Sequence, residues 1–167
     1  MNVEVVPAAL ADAMVIDNLM QLYLHEFSAV DGRHVEEDGR FSYQHFDRYW
    51  SETGRYPFLI CVDGGLAGFA LVVASALIEP GSNGHSIAEF FVLRNHRRRR
   101  VGERAAVTLF DRFPGHWSVA EHAANEPAQA FWRAVIGRYT AGKYQEGAWR
   151  GDGEDAIVQT FDNSAVG

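Results

Sequence analysis

The stretch "EFFVLRNHRRRRVGERAA", Glu89 to Ala106, decides the reading of this chain. It runs from an apolar strand pattern, through four consecutive arginines, into a helical pattern opening at Val101. The N-terminal end of a helix carries partial positive charge and favours Asp or Glu there, not Arg. Arg97 to Arg100 therefore oppose the local field. The first N–H groups of a helix also lack intrahelical partners. A phosphate or pyrophosphate at that point would accept those N–H groups, take up the dipole and neutralise the guanidinium groups. A solvated arginine run, or a patch for nucleic acid, is the plainer alternative.

Outward from this stretch the elements alternate. Val3 to Val6 is a short apolar strand ended by Pro7, and Ala8 to Phe27 shows helical spacing. "SAVDGRHVEEDGRFS" reads as a loop, and Tyr43 to Ser51 as an aromatic-rich second helix. "PFLICV" and "LAGFALVVASALI" flank the hairpin turn "DGG" at Asp63 to Gly65. "HSIAEFFVL" is apolar on both faces, which marks a central strand. A helix over Val101 to Phe113 follows, stopped by Pro114 and Gly115. "HWSVA" is a strand, "EPAQAFWRAVI" a helix, and "YTAGKYQEGAW" and "AIVQTFD" are two last strands joined by "RGDGED". The strand–helix–strand unit from His85 to Ala120 requires a locally parallel pair. The expectation is an α/β chain: a mixed sheet of six to seven strands flanked by about four helices, forming one domain over residues 1–167.

Bulk properties bound the function. The chain has 167 residues and a net charge of −7, and residues 1–56 hold ten acids against four arginines. That balance argues against a nucleic-acid coat and suits an amine-bearing partner. A lone cysteine, Cys61, in an apolar strand, reads as a buried structural thiol in a reducing compartment. No basic n-region precedes the first apolar residues and no apolar run reaches about 18 residues, so the cytoplasm is the expected location and no membrane partner is expected. The histidines are scattered without HExxH or CxxC partners, so no metal is expected. There is no Gly-Lys-Ser/Thr, no GxGxxG and no Gly-x-Ser-x-Gly.

"EFFVLRNHRRRRVGERAA" resembles the central motif of the GCN5-related N-acetyltransferase (GNAT) superfamily, where a strand leads into a Gln/Arg-x-x-Gly-x-Gly/Ala loop and then a helix. The pattern falls on Arg97 to Gly102, with Arg100 in place of the first family glycine and Gly102 keeping the second. "NEPAQAFW" resembles a second family segment through Asn125, Ala128, Phe131 and Trp132. The resemblance implies a GNAT-like fold and direct transfer of an acetyl group from acetyl-CoA to a primary amine of a small molecule or peptide. It implies a cofactor site at Phe90, Phe91, Val92, Leu93, Arg97, Arg98, Arg99, Arg100, Val101, Gly102, Glu103, Arg104, Asn125, Ala128 and Phe131. In that scheme Phe91 and Leu93 pair their backbone with pantetheine, and the Val92 N–H stabilises the oxyanion.

A general base is wanted as well. Glu89 is the first candidate, three residues before Val92; Glu121 and His122 follow. Ser118 stands where some relatives place a carboxylate. The family's tyrosine acid aligns with Trp132, whose indole is no useful proton donor; Tyr139 or Tyr144 could serve instead. The acceptor would meet Glu26, Tyr43 and Glu121, with Tyr23, Asp31, Glu36, His45 and Trp50 in the same N-terminal region. Two other readings stay open: an acyl-CoA-binding domain without catalysis, and an anion- or nucleic-acid-binding module built on Arg97 to Arg100. Oligomeric state is open, and a homodimer is allowed.

Overall fold

A computed structural model of the chain describes residues 1–151 and 153–164. Its seven strands are β1 (Val3–Pro7), β2 (Arg55–Val62), β3 (Gly65–Ala74), β4 (His85–Val92), β5 (His116–His122), β6 (Gln145–Gly151) and β7 (Glu154–Asp162). Three α-helices, α1 (Ala13–Asp31), α2 (Val101–Arg112) and α3 (Glu126–Tyr139), cover its faces, with four short 3-10 turns between elements. The sheet order is β1-β2-β3-β4-β5-β7-β6. Neighbours are antiparallel except β4 and β5, the parallel pair that the His85–Ala120 unit demands.

Local chemistry places the elements. The β2–β3 hairpin turns on Asp63 and Gly64, both with positive φ (49° and 79°), the backbone of a two-residue turn whose twist matches the strands. The Asp12 carboxylate accepts the Ala9 N–H at 2.9 Å, fixing the entry to α1. At the other end Gly32 (φ 72°) returns its N–H to Ser28 O at 2.9 Å, a left-handed helix stop. The helix therefore runs through "SAVD", four residues beyond the limit expected at Phe27.

The expected second helix, Tyr43 to Ser51, is a correction. Only a 3-10 turn over Phe46–Trp50 forms, after His45 in the left-handed region (φ 64°). This segment is fixed from outside. Gln21 on α1 exchanges two hydrogen bonds with the Phe41 backbone, at 2.8 and 3.0 Å, and Tyr49 buries its ring in the core. Cys61 is a second correction: it is half-exposed rather than buried. Burial still raises its pKa, helped by Glu4, the reverse of an activated thiol. The "RGDGED" connection includes Asp152, which lies outside the described residues.

The sheet separates two cores. Ile16, Leu19, Met20 and Leu24 of α1 pack with Tyr49, Phe69, Leu71 and Phe91 on one face. Ala105, Leu109 and Phe110 of α2 and Trp132 and Ile136 of α3 pack with Val72, Val92, Trp117 and Val119 on the other. β4 feeds both faces, which is why its sequence is apolar without alternation.

Candidate active site

The site begins where β4 and β5 part. They pair only from His85–Trp117 to Ile87–Val119, and beyond Ile87 the edge of β4 facing β5 has no strand partner among the described residues. The Leu93 N–H donates to Ala67 O on β3 at 2.8 Å. Because successive backbone groups alternate in direction, Val92 and Phe90 turn theirs into the gap. The structure thus directs the Leu93 N–H, expected to meet pantetheine, to β3 instead. Phe91 shares that side. A Cβ on Gly68 of β3 would lie 2.0 Å from Phe91 O, so the two strands meet there without room for a ligand.

The gap widens into a cleft of about 840 Å³ running from α1 to α3. It is lined on one side by Tyr23, Glu26, Phe27 and Val30 and on the other by Asn125, Ala128, Phe131 and Trp132. Its floor is Phe90, Phe91 and Val92, and its far wall is the arginine loop with the start of α2. Thus the two sequence segments that carried the resemblance face each other across one opening.

The loop resolves the conflict raised by its charge. After an extended Arg97, Arg98 and Arg100 both take positive φ of 60°. Turns with left-handed residues can gather backbone N–H groups into a concavity that binds anions. Arg100 is the N-cap of α2, with no side-chain cap. The first-turn residues Val101, Gly102 and Glu103 line the cleft. Arg100 thus keeps the backbone for which glycine would be chosen, at a cost of about 1–2 kcal/mol. Arg98 and Arg100 line the cleft, whereas Arg99 is exposed outside it. Arg97 is tied back: it donates to Val92 O at 2.7 Å and to Glu26 at 2.8 Å, above the Phe91 ring. Arg94 donates to the other Glu26 oxygen at 2.9 Å. Burial works to raise the Glu26 pKa, but the hydrogen bonds from Arg97 and Arg94 outweigh it and hold it low. Glu26 is thus committed to two arginines at the cleft mouth.

Gly102 has a packing reason. A Cβ there would sit 3.1 Å from the Phe131 ring and 3.6 Å from Phe90. Glu103 pairs with Arg138 of α3 at 2.7 Å, locking the two helices, and Arg104 reaches the Met1 carbonyl. Asn125 caps α3, its Oδ1 accepting the Ala128 N–H at 3.2 Å. Trp132 is buried against Phe90, Phe110 and Phe131.

The carboxylates separate by strand parity. Glu89 and Phe91 face α1. Burial pushes Glu89 up to about 7, against opposing hydrogen bonds from Tyr23 and Tyr43 and a favourable Arg33 charge. Glu121 alternates with Val119 and Trp117 and faces α3. It is buried, neither oxygen has a hydrogen-bond partner among the described residues, and burial lifts it to about 8. The structure therefore does not bring Glu121 beside Glu89. His122 points the other way, edge-on to the Phe27 ring, and accepts the Ala124 N–H at 3.1 Å.

Tyr43 packs edge-on to Phe46 in the α1-side core that also holds Tyr49. Tyr139 donates to Asp111 and accepts from Asn163, and Tyr144 lines a separate surface hollow with His116 and Lys143. Neither lines the cleft, so both fall away as acids. Sequence reasoning assigns Tyr23 only a pocket position; its nearness to Glu89 comes from α1 crossing β4, a tertiary fact.

The pattern of the Acetyltransferase (GNAT) family matches residues 16–137, and the chain belongs to that family. Solved structures share its fold. An acetyltransferase from Thermus thermophilus is 15% identical, with a TM-score of 0.67 and 97% of each chain covered. The ribosomal-protein-S18-alanine N-acetyltransferase from Escherichia coli is 17% identical, with a TM-score of 0.60 and 99% of this chain and 97% of its own covered. PaiA N-acetyltransferase from Thermoplasma acidophilum, in complex with coenzyme A, is 11% identical, with a TM-score of 0.58 and coverage of 95% and 98%. No curated protein matches the sequence significantly. Among the described residues no helix is long and apolar enough to cross a membrane, and no group of three metal-ligating side chains occurs.

Proposed function

We propose that this chain is a single-domain N-acetyltransferase that moves an acetyl group directly from acetyl-CoA to a primary amine of a small molecule or peptide. One observation carries the reading. A β4 edge without a strand partner among the described residues and an uncapped helix N-terminus meet in one cleft, and a raised carboxylate, Glu89, stands behind its Tyr23 wall. The residues fit the donor. Arg98, Arg100 and the first N–H groups of α2 would take the pyrophosphate, and the Phe90 backbone on the β4 edge would pair with a pantetheine amide. The Thermoplasma acidophilum protein, which shares the fold and was solved in complex with coenzyme A, supports that donor by analogy.

The Val92 N–H, aimed into the gap, would stabilise the oxyanion. Glu89 would accept the amine proton through water. A base with a pKa of about 7 is matched to neutral pH. The acidic N-terminal third and the tyrosines near Glu89 suit a cationic acceptor.

The second reading, a domain that binds acyl-CoA without transfer, rests on the buried Trp132. A thiol-release assay with acetyl-CoA and a panel of amines separates the two. Release with at least one amine, and an acetylated product by mass, is the expected result. Heat of acetyl-CoA binding without release from any amine would favour the second reading.

A further inference from the structure

Aminolysis of a thioester ends with a sulfur that needs a proton. The amine nitrogen, by contrast, sheds one. The lining of the cleft contains few groups able to give a proton to sulfur. A guanidinium does not serve as a proton donor in proteins, which sets aside Arg97, Arg98, Arg100 and Arg138. Glu26 and Glu103 are tied to arginines at 2.7–2.9 Å, which commits both carboxylates to ion pairs. Trp132 is an indole and Asn125 an amide. One hydroxyl remains among the described lining residues, that of Tyr23.

Its placement is specific. The Tyr23 ring packs on Phe91 at 5.8 Å and on Phe69 at 6.0 Å, which holds it over the face of β4. The Tyr23 side chain lines the cleft, and Glu89, which does not, lies two residues before the Phe91 ring that Tyr23 packs on, on the same α1-facing side of β4. The pair therefore connects the cleft to a carboxylate set back from it.

We propose that Tyr23 is the general acid of this site, giving its hydroxyl proton to the departing sulfur and recovering a proton from Glu89. The proposal rests on the acetyl-transfer reading above. The step balances. The amine nitrogen bonds to the carbonyl carbon, and the carbon–sulfur bond breaks with its electron pair leaving on sulfur. The nitrogen's surplus proton goes to the Glu89 carboxylate. Tyr23 protonates the sulfur, and Glu89 returns its proton to the Tyr23 oxygen. An amide and a free thiol result, and both side chains end as they began.

The electrostatics time the transfer. Burial, and then the Glu89 charge, hold the Tyr23 hydroxyl well above its ordinary value, so it enters the reaction protonated. Arg33 opposes that rise and Asp31 adds to it. When Glu89 gains the amine proton, its charge is gone and it becomes a donor toward the Tyr23 oxygen. Tyr23 is therefore a stronger acid at the stage when sulfur needs the proton.

The test compares Tyr23→Phe with the unaltered chain, using hydroxylamine as a small acceptor and two donors, acetyl-CoA and its selenoester analogue. A selenolate is a weaker base than a thiolate and departs without a proton. With acetyl-CoA, Tyr23→Phe is expected to lower kcat about 100-fold, with the acetyl-CoA Kd by calorimetry unchanged. With the selenoester the loss shrinks to less than about tenfold. Tyr43→Phe, which touches Glu89 without lining the cleft, serves as comparator, and its loss is equal for the two donors. Equal loss of Tyr23→Phe with both donors, or no loss with either, overturns the acid assignment alone. No turnover by the unaltered chain with either donor overturns the acetyl-transfer reading and the acid with it.

Discussion

Glu89 and Glu121 sit on adjacent strands and are both lifted far above an ordinary carboxylate, yet they lie on opposite faces of the sheet. Glu89 faces α1, where Tyr23 and Tyr43 can donate to it and a cleft opens beside it. Glu121 faces α3 with both oxygens unpartnered, next to a buried Gln159 whose Oε1 is also unpartnered. A raised pKa is thus not enough to mark a base. The donors around the group and the space it reaches decide whether the shift serves chemistry or is a cost borne by the fold.

The comparison breaks most visibly on the α3 face. Gly102→Asp puts a Cβ against Phe131 and a carboxylate beside the helix N-terminus. Acetyl-CoA affinity measured by calorimetry should fall about 100-fold, equivalent to about 2.7 kcal/mol. On the α1 face, Glu89→Gln should lower kcat by about 100-fold with the acetyl-CoA Kd kept. It should also remove the limb of the kcat/KM profile that rises as pH passes about 7. A profile unchanged by the substitution would remove Glu89 as the base.

Glu121→Gln should act in the opposite sense. The folded pKa of Glu121 lies near 8 and its unfolded value near 4.5. The folded state therefore holds a proton that the unfolded chain releases across that interval. Stability from this group is present in full below about 4.5 and is lost as pH rises through about 8. Glu121→Gln should be more stable than the parent at pH 8.5, by about 1–3 kcal/mol, and nearly equal at pH 4, by urea unfolding. Its kcat should not change. A large loss of rate in Glu121→Gln would dissolve the contrast between the two carboxylates.

The smallest effect lies in the loop. Arg100→Gly removes a left-handed arginine and should raise stability by about 0.5–1 kcal/mol in thermal unfolding. A loss of stability would mean that the Arg100 side chain, exposed and 3.9 Å from Glu103, matters more than its backbone.

Much of the fold is legible in the residues. The apolar runs and the Asp-Gly turns place the strands, and the His85–Ala120 unit requires the parallel pair at which the sheet opens. The arginine loop and "NEPAQAFW" mark two walls of one cleft. Tyr43 to Ser51 misleads because aromatic spacing alone cannot show that Gln21 holds Phe41, or that His45 turns left-handed. The face of Glu121 is readable from its parity with Trp117 and Val119. The role of Tyr23 is not, because its approach to Glu89 depends on how α1 crosses β4. Arg100 shows the same limit from the other side: its side chain departs from the glycine of the resembled motif, while its backbone takes a left-handed conformation that glycine adopts readily.

The central claim is that the arginine loop and the opened edge of β4 form one acyl-CoA site. Thermal unfolding of the unaltered chain and of Gly102→Asp, each with and without millimolar acetyl-CoA, tests it most directly. A native-state ligand raises the unfolding midpoint, so the unaltered chain should be stabilised by several degrees and Gly102→Asp by far less. An unaltered chain whose midpoint does not move with acetyl-CoA would contradict the claim.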